Sequence, residues 1–185
     1  MLTRSPTPFP IKMRIGGAQR DEARYPRDDQ ALGRALLARV EDVLARGIPR
    51  PTVLAFTDDQ VWWYDLGPAV KMKADIHRLI AAIAGQDGID CVAVVGVLNV
   101  RVSKRHHFPG AVAFLEWPDG RWWSSMHPLR PLPDKKLEPV PQAEVIERSA
   151  VDGWPRPGGL GGWWTRARVE GLKLRVQRTG DRQVH

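Results

Sequence analysis

One stretch near the middle of the chain constrains the fold more than any other. Residues 91 to 102 have the sequence CVAVVGVLNVRV, which is apolar on both strand faces through Val97 and becomes polar at Asn99 and Arg101. Successive side chains of a β-strand point to opposite faces, so a run that is apolar on both faces is typical of a buried strand. We therefore predict a central strand that emerges from the core near Asn99.

Elements on either side of this strand follow from hydrophobic spacing and turn residues. Between Asp28 and Gly47, leucines and valines recur every three or four residues, which predicts an amphipathic helix. Residues 52–66 are rich in β-branched and aromatic residues, which predicts a hairpin that turns at Asp58-Asp59. A second helix is predicted to start at Gly67-Pro68, and a second hairpin to turn at Pro118-Asp119-Gly120.

The predicted fold class is α+β, a mainly antiparallel sheet with two amphipathic helices in the order α-β-β-α-β-β-β, plus a C-terminal β-hairpin. This order resembles that of the roadblock and longin type of interaction domain over about residues 29–126. The expected organisation is, in chain order, an extended basic arm (1–27), an α+β core domain (28–127), a Pro/Gly-rich wrapping loop or linker (128–162), and a basic β-hairpin and tail (163–185).

Size and composition indicate a folded domain inside the cell. A chain of 185 residues with 43% apolar and 26% charged residues is close to the globular average for one domain. The single Cys91 lies in an apolar run, so we expect a buried thiol in a reducing compartment. Prolines interrupt the N-terminal segment where a signal peptide needs an apolar stretch. We therefore expect a cytoplasmic protein without a membrane partner.

The formal charge of +7 is concentrated at the two ends of the chain. Residues 1–50 carry ten Lys and Arg against six Asp and Glu, residues 51–159 twelve against thirteen, and residues 160–185 six against two. Clustered positive charge attracts polyanions over long range, which favours nucleic acid or an acidic protein surface as partner. High Arg, Ala, Gly and Pro content is also typical of GC-rich genomes, so charge alone does not select a partner.

The residues predicted to bind such a partner fall into two groups. In the predicted C-terminal hairpin, strand alternation would place Lys and Arg side chains on the faces of a two-stranded ribbon, with indoles at one edge. Such a surface would suit contact with phosphates and stacking of bases. A second basic group follows the central strand. The candidate residues are Trp163, Trp164, Arg166, Arg168, Lys173, Arg175 and Arg178 in the ribbon, and Arg101, Lys104 and Arg105 after the strand. The first hypothesis is a noncatalytic binding or accessory protein.

Two alternatives use other residues. Paired tryptophans in a strand point to opposite faces, so Trp62-Trp63 and Trp122-Trp123 would form a protein-partner or dimer surface unless another element covers them. Alternatively, His106, His107 and His127 would converge, with a carboxylate such as Asp134, on a zinc ion of a hydrolase or nuclease. Their spacing matches no known metal signature.

No cofactor-binding or catalytic motif is evident. The chain contains neither a phosphate-binding Gly-rich loop followed by Lys and Ser/Thr nor a dinucleotide-binding fingerprint. The glycine-rich segment 158–162 precedes a predicted strand rather than a helix, so it is interpreted as a hinge. We therefore expect no cofactor. Whether the protein is an enzyme stays open, but the sequence favours a noncatalytic role.

Overall fold

The computed structural model describes residues 18–21, 23–66, 76–101, 104–157 and 159–172. Over these residues the fold is α+β with a mostly antiparallel sheet, as the sequence predicts. The elements are, in chain order, β1 (Ala18–Asp21), α1 (Asp29–Leu44), β2 (Thr52–Phe56), β3 (Val61–Asp65), α2 (Ile76–Ala84), β4 (Cys91–Arg101), β5 (His107–Glu116), β6 (Trp122–Pro131), β7 (Leu137–Pro139), β8 (Ile146–Ser149) and α3 (Trp163–Glu170).

The strands form one sheet whose order is β1-β3-β2-β4-β5-β6-β7, with β8 also paired to β6. The predicted central strand is confirmed as β4, which pairs antiparallel with β2 on one side and β5 on the other. Both predicted hairpins are confirmed too, β2 with β3 and β5 with β6. β4 therefore joins the two hairpins into one sheet.

Helices cover both faces of this sheet. Cys91, Ala93 and Val95 of β4 belong to the core cluster that contains α1. The intervening Val92 and Val94 belong to the opposite cluster, with α2 and α3. A strand alternates its side chains between faces, so covering both faces accounts for the unbroken apolar sequence of β4.

The first helix begins and packs as its sequence indicates. The Asp28 carboxylate accepts a hydrogen bond from the Ala31 amide at 2.8 Å, which satisfies one otherwise unpaired donor of the first turn. Leu36 and Leu37 are buried on the sheet side. At Gly33 a Cβ would lie 2.6 Å from Cδ1 of Trp123, so this helix approaches the sheet too closely for a larger residue.

The predicted C-terminal β-hairpin is wrong over residues 163–170, which form helix α3. Trp163 and Ala167 are both buried, at helical rather than strand spacing, while Val169 is 80% exposed although strand alternation would place it beside Ala167. Arg166 donates to Glu170 at 2.7 Å, an ion pair one helical turn apart. Residues 173–185, the rest of the predicted hairpin and tail, lie outside the described residues.

Segments expected to be irregular also contribute strands. In the predicted N-terminal arm, residues 18–21 form β1 and pair with β3 at the sheet edge. In the predicted wrapping loop, β7 and β8 both pair with β6. The sheet therefore continues on both sides beyond the predicted core of 28–127.

The paired tryptophans are divided between the two faces of the sheet. Trp62 and Trp122 pack with the cluster of α2 and α3, and Trp63 and Trp123 pack with the cluster of α1. Each pair thus has one indole against each of the two core clusters. Trp122 is buried, whereas Trp62, Trp63 and Trp123 are half-buried. A sheet with helices on both faces can therefore place both indoles of a pair against a core, and the partner-surface hypothesis stays a prediction.

Candidate functional site

The outer ends of β4 and β5 form a two-stranded extension of the sheet. β4 pairs with β2 only from Cys91 to Val95, and β5 pairs with β6 only from Gly110 to Glu116. The β4–β5 ladder itself continues to Arg101 opposite His107. Within the described residues, this hairpin therefore extends beyond the ladders on both of its sides. We call residues 97–109 the basic hairpin; residues 102 and 103 within it are not described.

The basic hairpin carries cations and no carboxylate. The chain has no Asp or Glu from Cys91 to Leu115, whereas the hairpin contains three Lys and Arg and two His. All five of these side chains are exposed: Arg101, Lys104, Arg105, His106 and His107. The structure thus brings together the three cations predicted to follow the central strand.

The hairpin is anchored by the apolar residues at its base. Val97 packs against the α1 cluster, and Leu98 and Val100 pack against the cluster on the other face. Gly96 has φ +149, and a Cβ there would lie 3.0 Å from Cα of Pro51, where the ladder with β2 ends. A packed base of this kind holds the charged end on a rigid scaffold.

The three histidines of the metal hypothesis do not form a metal cluster. His127 pairs with Ala111, four residues further along β5 than His107, a separation of about 13 Å along the strand. Nδ1 of His127 lies 2.5 Å from Oε1 of Glu41 on α1. Among the described residues, no group of three or more His, Cys, Asp or Glu side chains is placed to hold a metal ion.

The C-terminal candidates are placed differently from the predicted ribbon. Trp163 is 1% exposed and packs edge-on against Phe114, so it belongs to the core. Trp164 is half-buried, with its indole N–H 3.4 Å from the Glu116 carbonyl. Arg166 is paired with Glu170, and Arg168 is exposed on α3. Lys173, Arg175 and Arg178 lie outside the described residues.

A buried carboxylate at the opposite end of β5 was not singled out by the sequence analysis. Glu116 is 1% exposed and accepts hydrogen bonds from the backbone N–H groups of Gly162 at 2.6 Å and Trp163 at 3.0 Å. Arg156 lies 3.3 Å from the same carboxylate. The described glycines of segment 158–162 precede a helix and not the predicted strand, so the premise of the hinge interpretation is wrong. The sequence feature that could have indicated this buried carboxylate is a single Glu at the end of an apolar strand.

The lone cysteine has the environment that its sequence predicts. Cys91 is 3% exposed, and burial raises the pKa of its thiol far above the usual range. The thiolate is the nucleophilic form of cysteine. Cys91 is therefore a packing residue rather than a reactive one.

No protein-family model, curated protein or solved structure matches this chain. The resemblance to roadblock and longin domains thus stays one of element order. None of the helices in the described parts of the chain has the length and apolar character that a membrane span requires. What the fold and the site define is a class: an α+β domain with helices on both faces of an antiparallel sheet and a basic hairpin at one end.

Proposed function

We propose that this protein is a noncatalytic binding or accessory protein that contacts nucleic-acid phosphates through the basic hairpin. The observation that carries the proposal is the extension of β4 and β5 beyond both neighbouring ladders, with five exposed basic or titratable side chains and no carboxylate. The C-terminal cations are no longer its main support, because α3 replaces the expected ribbon.

The shape of the hairpin suits a duplex or a single strand. A two-stranded β-ribbon fits the major groove of B-DNA, and Lys and Arg side chains neutralise phosphates in either form of nucleic acid. Arg101 and His107 are direct cross-strand neighbours, so their side chains share one face. Phosphate contacts of this kind supply affinity and orientation but carry no sequence information.

An acidic protein surface is the second candidate partner, since it presents the same charge to the same hairpin. Regularly spaced phosphates release condensed counterions when neutralised, so nucleic-acid binding weakens steeply and linearly on a logarithmic salt scale. The two partners are therefore distinguished by comparing a nucleic acid with an acidic polypeptide over a salt series.

The test uses the full chain and fluorescently labelled DNA and RNA oligonucleotides, single- and double-stranded, with labelled polyglutamate as the protein-like polyanion. Anisotropy is measured from about 50 to 200 mM salt. We expect nucleic-acid binding whose affinity falls several-fold or more over this range. Undetectable binding at the lowest salt, or an affinity that ignores salt, would contradict the proposal. Tighter binding to polyglutamate than to the oligonucleotides would instead favour an acidic protein surface as the partner.

A further inference from the structure

A pocket with basic walls lies at the end of the sheet opposite the basic hairpin, between the start of α2, the segment before α3, and α3 itself. Its volume is about 420 Å³, and its polar lining side chains are His77, Arg156 and Arg166. Ligand pockets in proteins typically have about 300 to 1,000 Å³. Among the described lining residues there is no Asp or Glu. The size is thus sufficient for a small organic molecule.

The buried carboxylate of Glu116 holds one wall of this pocket in place. It accepts from Gly162 N–H, Trp163 N–H and Arg156, so its two oxygens tie the loop and the guanidinium to the end of β5. The Arg156 side chain nevertheless remains 45% exposed. An arginine has five N–H donors, so the bond to Glu116 leaves Arg156 with further donors to offer.

The glycines before α3 allow the loop to lie directly against Arg156. Gly159, Gly161 and Gly162 all have φ between +75 and +81. A Cβ at Gly161 would lie 2.6 Å from Cδ of Arg156, and one at Gly162 would lie 3.2 Å from its Nη2. A larger residue at Gly161 would crowd the Arg156 side chain and Cζ of the buried Phe114, which lies 3.1 Å from the same Cβ position, so the loop lies closely against both side chains.

His77 also lines the pocket. The Trp163 indole N–H lies 3.2 Å from Nδ1 of His77. Because an indole only donates, Nδ1 accepts, which leaves Nε2 as the donor atom of the ring. Arg166, whose Nε is bonded to Glu170, lines the pocket beside it. The polar side chains of the described lining are therefore all donors, and two of them are cations.

We infer that this pocket binds the anionic group, phosphate or carboxylate, of a small organic molecule. Guanidinium groups bind both anions through paired N–H···O hydrogen bonds. The helix N-terminus contributes little, because the first N–H groups at α3 are already bonded to Glu116. The inference rests on residues at the opposite end of β5 and does not depend on nucleic-acid binding.

The test is isothermal titration of the full chain with inorganic phosphate and, separately, with citrate, at constant ionic strength. We expect saturable binding of at least one anion, and the preferred one identifies the ligand chemistry. Arg156→Gln should weaken it at least tenfold. The matched control is Arg168→Gln, which removes an exposed cation from α3 outside the described pocket lining and should leave the affinity unchanged. Absence of saturable binding by the wild-type protein would overturn the inference.

Equal loss of anion affinity in Arg156→Gln and Arg168→Gln would also overturn the inference, because the affinity would then depend only on the net charge of the protein. If Arg156→Gln does not fold, as judged by circular dichroism, Arg166→Gln must show the same selective loss against Arg168→Gln. Failure of this pocket leaves the hairpin proposal intact, because oligonucleotide binding is measured separately and with substitutions in a different part of the chain.

Discussion

At the scale of single residues, Glu116 is the clearest example of a role set by tertiary structure. Its carboxylate is 1% exposed, and burial of a carboxylate is costly unless hydrogen bonds and an opposite charge compensate. The compensation comes from Gly162, Trp163 and Arg156, which are 40 to 47 residues away in sequence. Sequence spacing cannot reveal partners that only the completed fold brings together.

We predict that Glu116→Gln lowers the free energy of unfolding by about 2 kcal/mol, because the amide N–H₂ replaces an acceptor and leaves a buried backbone N–H unpaired. Urea denaturation measures the change. The control is Glu138→Gln, whose partner Arg130 is 53% exposed; a surface pair of this kind contributes less than about 1 kcal/mol. Equal losses for the two variants would refute the structural role of Glu116.

The glycine loop offers a second comparison at this scale. Gly159 and Gly161 have φ of +80 and +81, so alanine meets nearly the same backbone strain at both, about 1 to 2 kcal/mol. At Gly161 the new Cβ would also lie 2.6 Å from Cδ of Arg156 and 3.1 Å from Cζ of the buried Phe114, whereas at Gly159 nothing lies within 4 Å of it. Thermal or urea unfolding should therefore show a larger loss for Gly161→Ala than for Gly159→Ala. The reverse order would show that the loop does not lie closely against these two side chains.

Some residue assignments did follow from sequence. Cys91 is buried because it lies within an apolar strand. For the start of α1 the sequence offers two short side-chain acceptors, Asp28 and Asp29, and the structure shows that Asp28 is the cap. Trp163 was misplaced at a binding edge, since an indole gives the same sequence signal in a core as on a surface.

At the scale of elements, sequence predicted best where hydrophobic spacing was long and turn residues were specific. α1 and β4 have the long apolar pattern, and the hairpin around Pro118-Asp119-Gly120 has the specific turn residues. Residues 163–170 have neither feature, because a segment of eight residues contains too few apolar positions for its spacing to distinguish a helix from a strand. The decisive signals there were the burial of Trp163 with Ala167 and the pairing of Arg166 with Glu170.

The contact between α1 and β8 predicts a pH dependence. Hydrogen bonding from Arg34 lowers the pKa of Glu147 below 4.5, with a further hydrogen bond from Gln30. A carboxylate whose pKa is lowered in the folded state stabilises above its unfolded pKa, and this stabilisation is lost as pH falls through the folded pKa. We expect the stability difference between wild type and Glu147→Gln to be full near neutral pH and to shrink below about pH 4.5.

Urea midpoints measured from neutral pH to about pH 3 give this difference directly. Glu144→Gln is the control, because Glu144 is an exposed carboxylate three residues away in sequence. A stability difference for Glu147→Gln that stays constant over the whole range would contradict the ion pair.

At the scale of the whole molecule, the structure places the two basic regions at opposite ends of β5. The basic hairpin contains the first residues of β5, before Gly110, and the pocket lies near Glu116, the last residue of the same strand. The paired tryptophans pack against the core clusters on the two sheet faces, with Trp122 buried and the other three half-buried. The net positive charge is concentrated at the two ends of the sequence. Among the described residues, however, the exposed cations Arg101, Lys104 and Arg105 lie in the middle of the chain, where β4 and β5 bring them into one hairpin.

The most direct test of the hairpin proposal compares two triple variants with the same net charge. One is Arg101→Gln/Lys104→Gln/Arg105→Gln; the other is Arg24→Gln/Arg27→Gln/Arg46→Gln, which removes three exposed cations far from the hairpin in sequence. Oligonucleotide anisotropy is measured over a salt series for both. We predict that the hairpin variant reduces the salt slope by about 2 to 3 and that the control variant nearly retains the wild-type slope. Equal slopes for the two variants would contradict the proposed hairpin site.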